Sequence, residues 1–269
     1  MKIIQNKKEF KNLIPGKNKL GFVPTMGAIH KGHISLIKKS ILQNDETVVS
    51  IFVNKPQFNK KDDYQKYPRM IKSDILILKK LKVNYLYLPK TREIYPDGPN
   101  RKIKINSFGK NLCGKFRHNH FEAIADVVDR LIKIIKPKKI YFGEKDMQQL
   151  KILENFIIKN HINTKVIGCK TVREKNGIAL SSRNLLLTKN EKKTASKIYK
   201  LIKKSKNNLI KNKESLIIIK NKILKLGAYK IDYLKILDIN KLIKPFIKIK
   251  KYRIFVAYYL GKTRLIDNI

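Results

Sequence analysis

The feature that most constrains the fold is the alternation of β-rich and helix-like segments along the first two thirds of the chain. Short runs rich in Val, Ile, Phe and Tyr occur at 20–25, 47–53, 83–89, 138–143 and 164–172. Between them, apolar residues recur at helical spacing over 33–43, 64–81, 120–135 and 146–159. Strands that alternate with helices form βαβ units, which build a parallel sheet covered on both faces. The pattern therefore predicts an α/β fold.

The pattern changes after about residue 175. Two lysine-rich segments at 188–210 and 214–227 have the apolar spacing of helices. Thr188 comes directly before the first of them, and Glu191 follows three residues later, which is the spacing of a capping box. These segments predict two further helices that are separate from the βαβ units.

Two strand-like runs follow these helices, at 229–237 and at 253–267, and the second turns around Gly261 and Lys262. Helices followed by such runs suggest a small antiparallel sheet in a domain of its own. We predict a Rossmann-like parallel-sheet domain over residues 1–173 and a smaller α+β domain over 174–269, with the segment 173–177 as the hinge.

The net charge of +42 invites the hypothesis of a nucleic-acid partner, because a strongly basic surface attracts polyanions. Of the 62 basic residues, however, only nine are arginines, and the lysines are scattered over most segments. Asn and Ile are abundant as well, which is typical of codon drift in an A/T-rich genome. We interpret the charge as drift on a tolerant surface and predict no specific nucleic-acid partner.

Cysteine usage and hydropathy exclude several classes of protein. Cys113 and Cys169 are the only cysteines and form no CxxC pair, so a disulfide framework or a structural zinc site is not expected. No apolar run approaches the roughly 18 to 20 residues of a membrane span, and MKIIQNKKEFKNLI lacks the apolar region of a signal peptide. We expect a cytoplasmic protein without a membrane segment.

Two histidines lie three residues apart where a strand-like run passes into a helix-like one. In VPTMGAIHKGHISLI (23–37), His30 and His33 come at the start of the predicted helix, where residues three apart share a face. Backbone N–H groups and the positive end of the helix dipole favour an anion there, and Gly32 lets a ligand approach the backbone closely. The pattern favours a phosphate site, with a zinc site and a packed histidine pair as alternatives.

A second polar group, FGEKDMQQL (142–150), follows a β-rich run. Lys145 can supply a point charge to a phosphate. Asp146 can accept hydrogen bonds from ribose hydroxyls or cap the following helix. Gln148 and Gln149 cannot both face a cleft from the start of one helix. A capped helix with a solvated lysine is the alternative interpretation.

Two further segments carry polar donors. ALSSRN (179–184) places two hydroxyls, a guanidinium and an amide in sequence, a set suited to polyphosphate oxygens. FVNKPQF (52–58) delivers Asn54 and Gln57 at a strand end, where neutral amides suit hydroxyls and a carboxylate. Each alone also reads as an ordinary turn. Together, these groups and the absence of a Ser or Cys nucleophile with an evident base indicate nucleotidyl transfer, which depends on positioning and charge stabilisation.

The chain resembles a known family at these residues. His30-Lys31-Gly32-His33 is similar to the HxGH signature of the nucleotidyltransferase superfamily that includes class I aminoacyl-tRNA synthetases. The longer set resembles the pantoate–β-alanine ligases: PTMGAIHKGH, SIFVN with QF, YPR (67–69), EIYPDG (93–98), FGEKD with QQL, LSSRN and RLIDN. These motifs run in the expected order from Val23 to Asn268, so the resemblance covers nearly the whole chain.

The resemblance implies a two-step ligation with ATP as a substrate and Mg²⁺ as a cofactor. ATP and pantoate would give a bound pantoyl adenylate and pyrophosphate, and the amine of β-alanine would then attack the acyl carbon to give pantothenate and AMP. The carboxylate of pantoate is the first nucleophile in this scheme, so no protein nucleophile is needed. The resemblance also implies a homodimer.

The resemblance implies roles for individual residues. Contacts with ATP are implied for Met26, Gly27, His30, Gly32, His33, Gly143, Glu144, Lys145, Asp146, Val172, Leu180, Ser181, Ser182 and Arg183. Contacts with pantoate or β-alanine are implied for Met26, Asn54, Gln57, Arg117, His120 and Gln149. Direct participation in catalysis is implied for His30, His33, Lys145 and Arg183. Asp74 is the position at which support for Mg²⁺ is expected.

The chain departs from the family pattern at several positions. FVNK (52–55) stands where the family has FVNP, with the proline moved one place to Pro56. RHNHFEA (117–123) stands where the family has an RPGHF run followed by Gly, and Asp126 stands where the family has Thr. The alternatives to a pantoate–β-alanine ligase are another HxGH-type adenylyl or cytidylyl transferase, and a basic RNA-binding protein that has kept an inactive enzyme fold. Because Arg183 lies beyond the predicted hinge, we expect closure of the second domain to complete the phosphate site.

Overall fold

A computed structural model describes residues 1–13, 19–242 and 248–269. In these ranges, the first domain contains a six-stranded, all-parallel sheet with the strand order β1-β4-β3-β2-β5-β6. Its strands are β1 (Lys2–Ile4), β2 (Leu20–Thr25), β3 (Glu46–Ile51), β4 (Tyr85–Tyr87), β5 (Lys139–Gly143) and β6 (Lys165–Cys169). The predicted α/β class and parallel sheet are confirmed.

The strands alternate with helices in chain order, as expected for βαβ units. The helices are α1 (Lys7–Leu13), α2 (Lys31–Gln43), α3 (Lys61–Gln65), α4 (Ile71–Lys80), α5 (Thr91–Ile94), α6 (Cys113–Phe116), α7 (His120–Ile135), α8 (Met147–Lys159), α9 (Lys189–Ile210) and α10 (Leu216–Lys225). Short 3₁₀ turns occur at Lys55–Gln57, Ser107–Lys110, Glu144–Asp146, Ser182–Leu186 and Ile239–Lys241. No helix in the described ranges is long and apolar enough to span a membrane.

Successive strand residues point to opposite faces of the sheet, which explains why both faces are apolar. Phe22 and Ile140 belong to the core that contains α7 and α8. Their neighbours Val23 and Tyr141 belong to the opposite core, which contains α2 and α4. The central strands are therefore buried on both sides, and the polar residues of this region are confined to the strand ends.

The loops after β2, β3 and β5 meet at one edge of the sheet. Thr25, the last residue of β2, pairs with Ile51, the last residue of β3. Strand β5 pairs with β2 on its other side and ends at Gly143. Ligands in open parallel sheets bind beyond the carboxyl ends of strands, so this edge is where the predicted site residues converge.

The prediction of one helix over 64–81 is wrong. The structure has two helices, α3 and α4, separated by residues 66–70. Pro68 lies in this gap; it has no N–H to donate and disfavours helical geometry at Tyr67 before it. The break turns Tyr67 and Asp63 toward the edge of the sheet where the loops meet, and both line the cavity found there.

The first strand and the first helix were not predicted. Strand β1 pairs with β4 at the edge of the sheet and has only three residues, and α1 follows with Phe10 in the core. Such short elements carry too few residues to show a period. Strands β4 and β6 are also shorter than the runs that predicted them.

The second domain contains two helices and an antiparallel sheet, as predicted. Strands β7 (Lys230–Asp238), β8 (Tyr252–Leu260) and β9 (Thr263–Asn268) lie in that order, and β8 and β9 are joined through Gly261 and Lys262. The capping box of α9 is confirmed: the Thr188 hydroxyl accepts from the Glu191 N–H at 3.2 Å, and the Glu191 carboxylate accepts from the Thr188 N–H at 2.7 Å.

The two sheets share apolar contacts. Tyr233 of β7 with Phe255 and Ala257 of β8 belong to the same core as α7 and α8. The predicted hinge is a hydrogen-bonded hairpin, in which the Glu174 N–H donates to the Ile178 carbonyl at 2.8 Å. The placement of the domain boundary at 173 stays a prediction.

Candidate active site

A cavity of about 880 Å³ lies at the carboxyl ends of the parallel strands. One wall consists of the loops after β2, β3 and β5, and the other includes segment 178–184 and residues of β7, β8 and β9. Cavities of this size hold drug-sized ligands. Its volume provides room for a nucleotide and a second small molecule.

The two histidines form the N-terminal cap of α2. His30 precedes α2, and its Nδ1 accepts from the Gly32 N–H at 3.1 Å. The Nδ1 of His33 accepts from the His30 N–H at 3.4 Å, and the two rings stack with their centroids 4.0 Å apart. With Nδ1 engaged as an acceptor, each neutral ring carries its proton on Nε2. The pair therefore presents two Nε2–H donors.

Gly32 is required by the imidazole of His30. A Cβ at residue 32 would lie 2.7 Å from Cε1 of His30 and 2.9 Å from its Nδ1. These distances are shorter than van der Waals contact, so a side chain at residue 32 would displace the ring. The sequence suggested that Gly32 admits a ligand; the contact that requires glycine in the structure is with the ring of His30.

Both histidines are neutral at pH 7. Burial, together with the nearby Lys145 ammonium, lowers the pKa of His30 to about 4, although Asp146 opposes the shift. Burial, the neighbouring His30 and Lys145 lower the pKa of His33 to about 3. Lys145 lines the same cavity as both rings. Two neutral donors and one cation therefore meet at one place.

The neutral histidines make folding stability depend on pH. The pKa of His33 is lower in the folded protein than its value of 6.5 in the unfolded chain. As the pH falls below 6.5, the unfolded chain binds the proton more readily, so the free energy of unfolding decreases. Between pH 7 and pH 5, His33 should account for a loss of about 1 to 2 kcal/mol in the free energy of unfolding. Urea unfolding at both pH values should show a flatter dependence for His33→Gln than for the parent. An equally steep dependence in the variant would contradict the neutral assignment.

The loop before the histidines is held from beneath by Asp74 of α4. Its carboxylate accepts from the Ala28 N–H at 2.9 Å and from the Ile29 N–H at 2.7 Å. Gly27 has φ +83° and Ala28 has φ +50°, so the chain turns through two left-handed residues. Asp74, only 1% exposed, thus fixes the turn that presents His30.

Lys145 lies in the 3₁₀ turn after β5. Its Nζ is 3.3 Å from an Asp146 carboxylate oxygen, and its side chain is 16% exposed while that of Asp146 is 45% exposed. The Asp146 side chain makes no capping bond to α8. Its carboxylate is therefore available to a ligand, and the capping alternative is not realised. Gln148 and Gln149 both border the cavity, contrary to the expectation that they cannot both face it, but the Gln148 amide is taken up by the Cys113 N–H and the carbonyls of Phe108 and Asn111.

Asn54 orients Gln57 after β3. The Asn54 amide nitrogen donates to the Gln57 Oε1 at 3.0 Å and to the Ala123 carbonyl at 3.2 Å, and its oxygen accepts from the Tyr95 hydroxyl at 2.7 Å. This arrangement leaves the Gln57 Nε2 directed to the sulfur of Met26 at 3.2 Å. Asn54 is 1% exposed and both ends of its amide are engaged, so it positions Gln57; its predicted contact with pantoate or β-alanine stays a prediction.

Arg117 and His120 lie against the same glutamine. Arg117 donates to the Gln57 carbonyl at 3.1 Å, and the His120 Nδ1 lies 2.8 Å from that oxygen. Burial lowers the pKa of His120 well below its usual value, and the adjacent Arg117 adds to the effect. Despite its altered sequence, the 117–123 segment therefore supplies a cation and a neutral imidazole to the cleft.

The SSRN segment reaches the cleft from the second domain. Ser181 begins the 3₁₀ turn there and accepts from the Arg183 N–H at 3.3 Å, and the Ser182 hydroxyl lies 3.5 Å from the Ala28 carbonyl. The Arg183 guanidinium donates to both carboxylate oxygens of Asp63 at 3.1 and 2.9 Å. Asp63 thus holds Arg183 at the cleft without a bound anion.

Comparison with known proteins identifies the family. A model of the pantoate–β-alanine ligase family matches residues 2–269. A pantothenate synthetase from Sulfurihydrogenibium sp. is 42% identical over 284 residues, covering 100% of this chain and 99% of that protein. The chain belongs to the pantoate–β-alanine ligases.

Solved structures of pantoate–β-alanine ligases have the same fold. The Francisella tularensis ligase, solved with β,γ-ATP and β-alanine, is 42% identical with a TM-score of 0.88, covering 100% of this chain and 97% of that one. The pantothenate synthetase of Thermus thermophilus is 32% identical with a TM-score of 0.91, covering 100% and 99%. The chain is therefore an enzyme of the ligase class with the predicted Rossmann-like fold.

Most of the residues implied by the ligase motifs line the one cavity. They are Met26, His30, Gly32, His33, Asn54, Gln57, Arg117, His120, Gly143, Lys145, Asp146, Gln149, Val172, Leu180, Ser181, Ser182 and Arg183. Gly27, Asp74 and Glu144 are not among its lining residues. Gly27 forms the turn beneath the loop, and Glu144 pairs with Arg253 at 2.6 Å; the contacts predicted for these two residues with ATP stay predictions.

The predicted magnesium role of Asp74 does not fit its placement, because its two oxygens already serve buried N–H groups. Asp74→Asn should lower the free energy of unfolding by about 2 kcal/mol, since one buried N–H loses a charged acceptor. The dependence of activity on Mg²⁺ concentration should stay unchanged. Asp62→Asn, at a side chain that is 77% exposed, is the matched control. Unchanged stability with a raised Mg²⁺ requirement would restore the metal role.

Sequence reasoning missed three residues at the site: Asp63, Arg253 and Asn268. Asp63 is one of two adjacent aspartates in KKDDYQKY and lies 120 positions from its partner Arg183. Asn268 belongs to the RLIDN motif, which signals importance but no partner. No local pattern could have connected these residues with the loops that they contact.

Proposed function

We propose that the cleft ligates pantoate and β-alanine in two steps, with ATP as the energy source and a pantoyl adenylate as the intermediate. The observation that carries this proposal is the meeting of two Nε2–H donors, Lys145 and Arg183 at a cavity that both domains line. The Francisella tularensis ligase was solved with an ATP ligand and β-alanine, which supports the two substrate classes.

ATP would lie with its triphosphate across the start of α2. The Nε2–H groups of His30 and His33 donate to phosphate oxygens, and the helix N-terminus adds to the attraction. Lys145 faces the same place and stabilises the charge that develops as the pantoate oxygen attacks the α-phosphate. When ATP is bound, the Arg183 guanidinium would donate to the phosphates instead of to the Asp63 carboxylate. Val172 and Leu180 would border the base, and Asp146 would accept from the ribose.

Pantoate would occupy the neighbouring part of the cavity. The Gln57 Nε2, held by Asn54, and Gln149 offer neutral amides to its hydroxyls and carboxylate, while Met26 supplies an apolar wall. This places the carboxylate on the same side as the His30–Lys145 group. The protein contributes proximity and orientation, which account for a large part of the barrier in such transfers.

In the second step, the amine of β-alanine attacks the acyl carbon of the adenylate and AMP leaves. Arg117 is the cation that lies against Gln57 in the acid pocket, and we assign it to the carboxylate of β-alanine. His120 is neutral and half of its hydrogen-bonding capacity is engaged by Gln57, so it would orient the loop or accept from the amine. Water exclusion by the second domain protects the adenylate from hydrolysis.

Mg²⁺ would be held mainly by the triphosphate. Among the described residues, no cluster of three His, Cys, Asp or Glu side chains forms a metal site. Mg²⁺ commonly keeps several waters and binds through one or two carboxylates and substrate phosphates. Asp63, which is 37% exposed beside Arg183, is suited to that role. When bound, the ion would neutralise phosphate charge.

The proposal is tested by omitting each substrate in turn. Pyrophosphate release should require ATP and pantoate only, whereas AMP release and an amide product should require β-alanine as well. Nucleotide turnover that ignores both acids but responds to another substrate would instead indicate another HxGH-type adenylyl or cytidylyl transferase. Salt-sensitive RNA binding without turnover would indicate the inactive-fold alternative.

Two broader expectations accompany the proposal: a homodimer and a cytoplasmic location. The homodimer follows from the resemblance to the ligase family, and the cytoplasmic location from the cysteine usage of the sequence. Sedimentation equilibrium of the full chain tests the first, because a dimer has twice the mass of the 31.5 kDa chain. Fractionation of cells that express the chain tests the second.

A further inference from the structure

We propose that Asn268 is a positioning residue for Lys145: its side chain holds the backbone of the turn that presents the lysine. The inference rests on the proposed role of Lys145 in adenylation. It assigns to β9 of the second domain a part in setting the geometry of a catalytic residue of the first domain.

The amide of Asn268 is fully used on this turn. Its Nδ2 donates to the Glu144 carbonyl at 2.8 Å and to the Lys145 carbonyl at 2.7 Å, and its Oδ1 accepts from the Arg253 guanidinium at 2.5 Å. The residue is 3% exposed. The two carbonyls belong to the peptides on either side of the Lys145 Cα, so Asn268 restricts the backbone rotation at Lys145 itself.

Arg253 also restrains this turn, through the side chain of Glu144. Its second terminal nitrogen donates to the Glu144 carboxylate at 2.6 Å. Arg253 thus joins Asn268 and Glu144, so the turn is held both by its backbone and by a side chain. Asn268 is buried, and the side chains of Arg253 and Glu144 are only 18% and 24% exposed, so the loss of one partner leaves the others with poorly satisfied polar groups.

The strand that carries Asn268 is itself anchored. The neighbouring Asp267 accepts two hydrogen bonds from Arg173, at 2.6 and 2.9 Å, and Arg173 also donates to the Asn268 carbonyl at 3.2 Å. Bidentate pairs of this kind fix orientation as well as distance. Asn268 is therefore a rigid support for the turn.

The turn has little local support of its own. It spans Glu144–Asp146, is preceded by Gly143, which has no side chain to cap it, and is followed by α8, which Asp146 does not cap. A catalytic side chain needs to be held within a fraction of an ångström of its working position. The contacts from β9 supply the restraint that the local sequence lacks.

A positioning role predicts a loss of catalytic rate without a matching loss of affinity or of fold. Asn268→Asp keeps the shape but turns a carboxylate oxygen toward two carbonyl oxygens, and Asn268→Ala removes the contacts. Both should lower the kcat of pantoate-dependent pyrophosphate release by about 10- to 100-fold, while the KM for pantoate changes less than twofold. Asn240→Ala, which removes an amide bonded to the Ile249 carbonyl at 2.6 Å away from the cavity, should leave kcat unchanged.

A second readout does not depend on activity. Lys145 contributes to the lowered pKa of His30, so its displacement should raise that pKa from about 4. NMR titration of the histidine ring protons in the parent, the two Asn268 variants and Asn240→Ala would detect this. Circular dichroism identifies any variant that does not fold, and the conclusion is then drawn from the other one.

The outcomes distinguish a failure of the positioning role of Asn268 from a failure of the proposed function. A reduced kcat with a raised His30 pKa in folded Asn268 variants supports the proposal. Unchanged kcat and an unchanged His30 pKa in either folded variant overturn it. If the parent shows no pantoate-dependent pyrophosphate release, the proposed function fails, and the His30 titration still decides whether Asn268 positions Lys145.

Discussion

Lys145→Met should lower the rate of pantoate-dependent pyrophosphate release roughly 10³-fold, with a smaller effect on the KM for ATP. The ammonium lies in a partly closed cleft, where a charge acts more strongly than in water. It lines the same cavity as both histidines, so we expect it to lie close to the reacting α-phosphate. The positive charge of Lys145 matters most in the transition state, when negative charge develops on the phosphate. The substitution should therefore lower kcat more than it raises the KM for ATP. Rapid-quench measurement of pyrophosphate in a single turnover separates this step from product release.

Lys139→Met is the matched control for this prediction. Lys139 begins the strand whose end carries Lys145, and its Nζ donates to the Gln43 carbonyl at 3.0 Å. The same substitution is therefore made at the opposite end of one strand, away from the cavity. A rate within about tenfold of the parent in Lys145→Met would contradict the assignment of Lys145 to charge stabilisation.

His33→Ala should slow adenylation by about 10²- to 10³-fold, as the loss of a transition-state donor typically does. The Nδ1 of His33 accepts from the backbone, so the only donor that its neutral ring can offer a phosphate is Nε2–H. His33→Gln should recover part of the rate, because an amide can still donate. Near-normal pyrophosphate release by His33→Ala would exclude the role.

His161→Asn controls for the general effect of removing an imidazole. His161 is exposed, follows α8 and has φ +50°, a conformation that Asn tolerates. Its replacement should leave adenylation unchanged. His33 also caps α2, and a capping defect lowers stability but not the rate per folded molecule. Measuring both quantities for the His33 variants therefore separates its role in transfer from its role in capping.

The sequence predicted the elements whose period is long and uniform. Helix α7 spans the predicted residues 120–135, and β2 spans the predicted 20–25. The prediction of one helix over 64–81 overlooked Pro68, whose effect on the backbone is local and was available from the sequence. The edge strand β1 was beyond reach for a different reason: its three residues acquire their conformation from pairing with β4.

The sequence predicted which residue types form the site, but not which of them are free to contact a ligand and which hold other residues in place. Donors such as His30, Lys145 and Arg183 were identified from local motifs and do line one cavity. Asn54 and Asp74 were assigned to ligands, whereas the structure gives their polar atoms to Gln57 and to the loop before His30. Burial decides this difference, and burial depends on how remote segments pack.

The sequence by itself determined the βαβ order, the placement of two histidines at the start of α2 and the membership of the ligase family. These depend on interactions between residues close in the chain, or on motifs that recur in order. Only the tertiary structure decided that Asp63 holds Arg183 and that Asn268 holds the turn of Lys145. Those partners are 120 or more positions apart, and they meet because the packing of two sheets brings β9 and α3 to the same cleft. A hydrogen bond between such residues leaves no periodic trace in the sequence, since either partner alone looks like an ordinary polar surface residue.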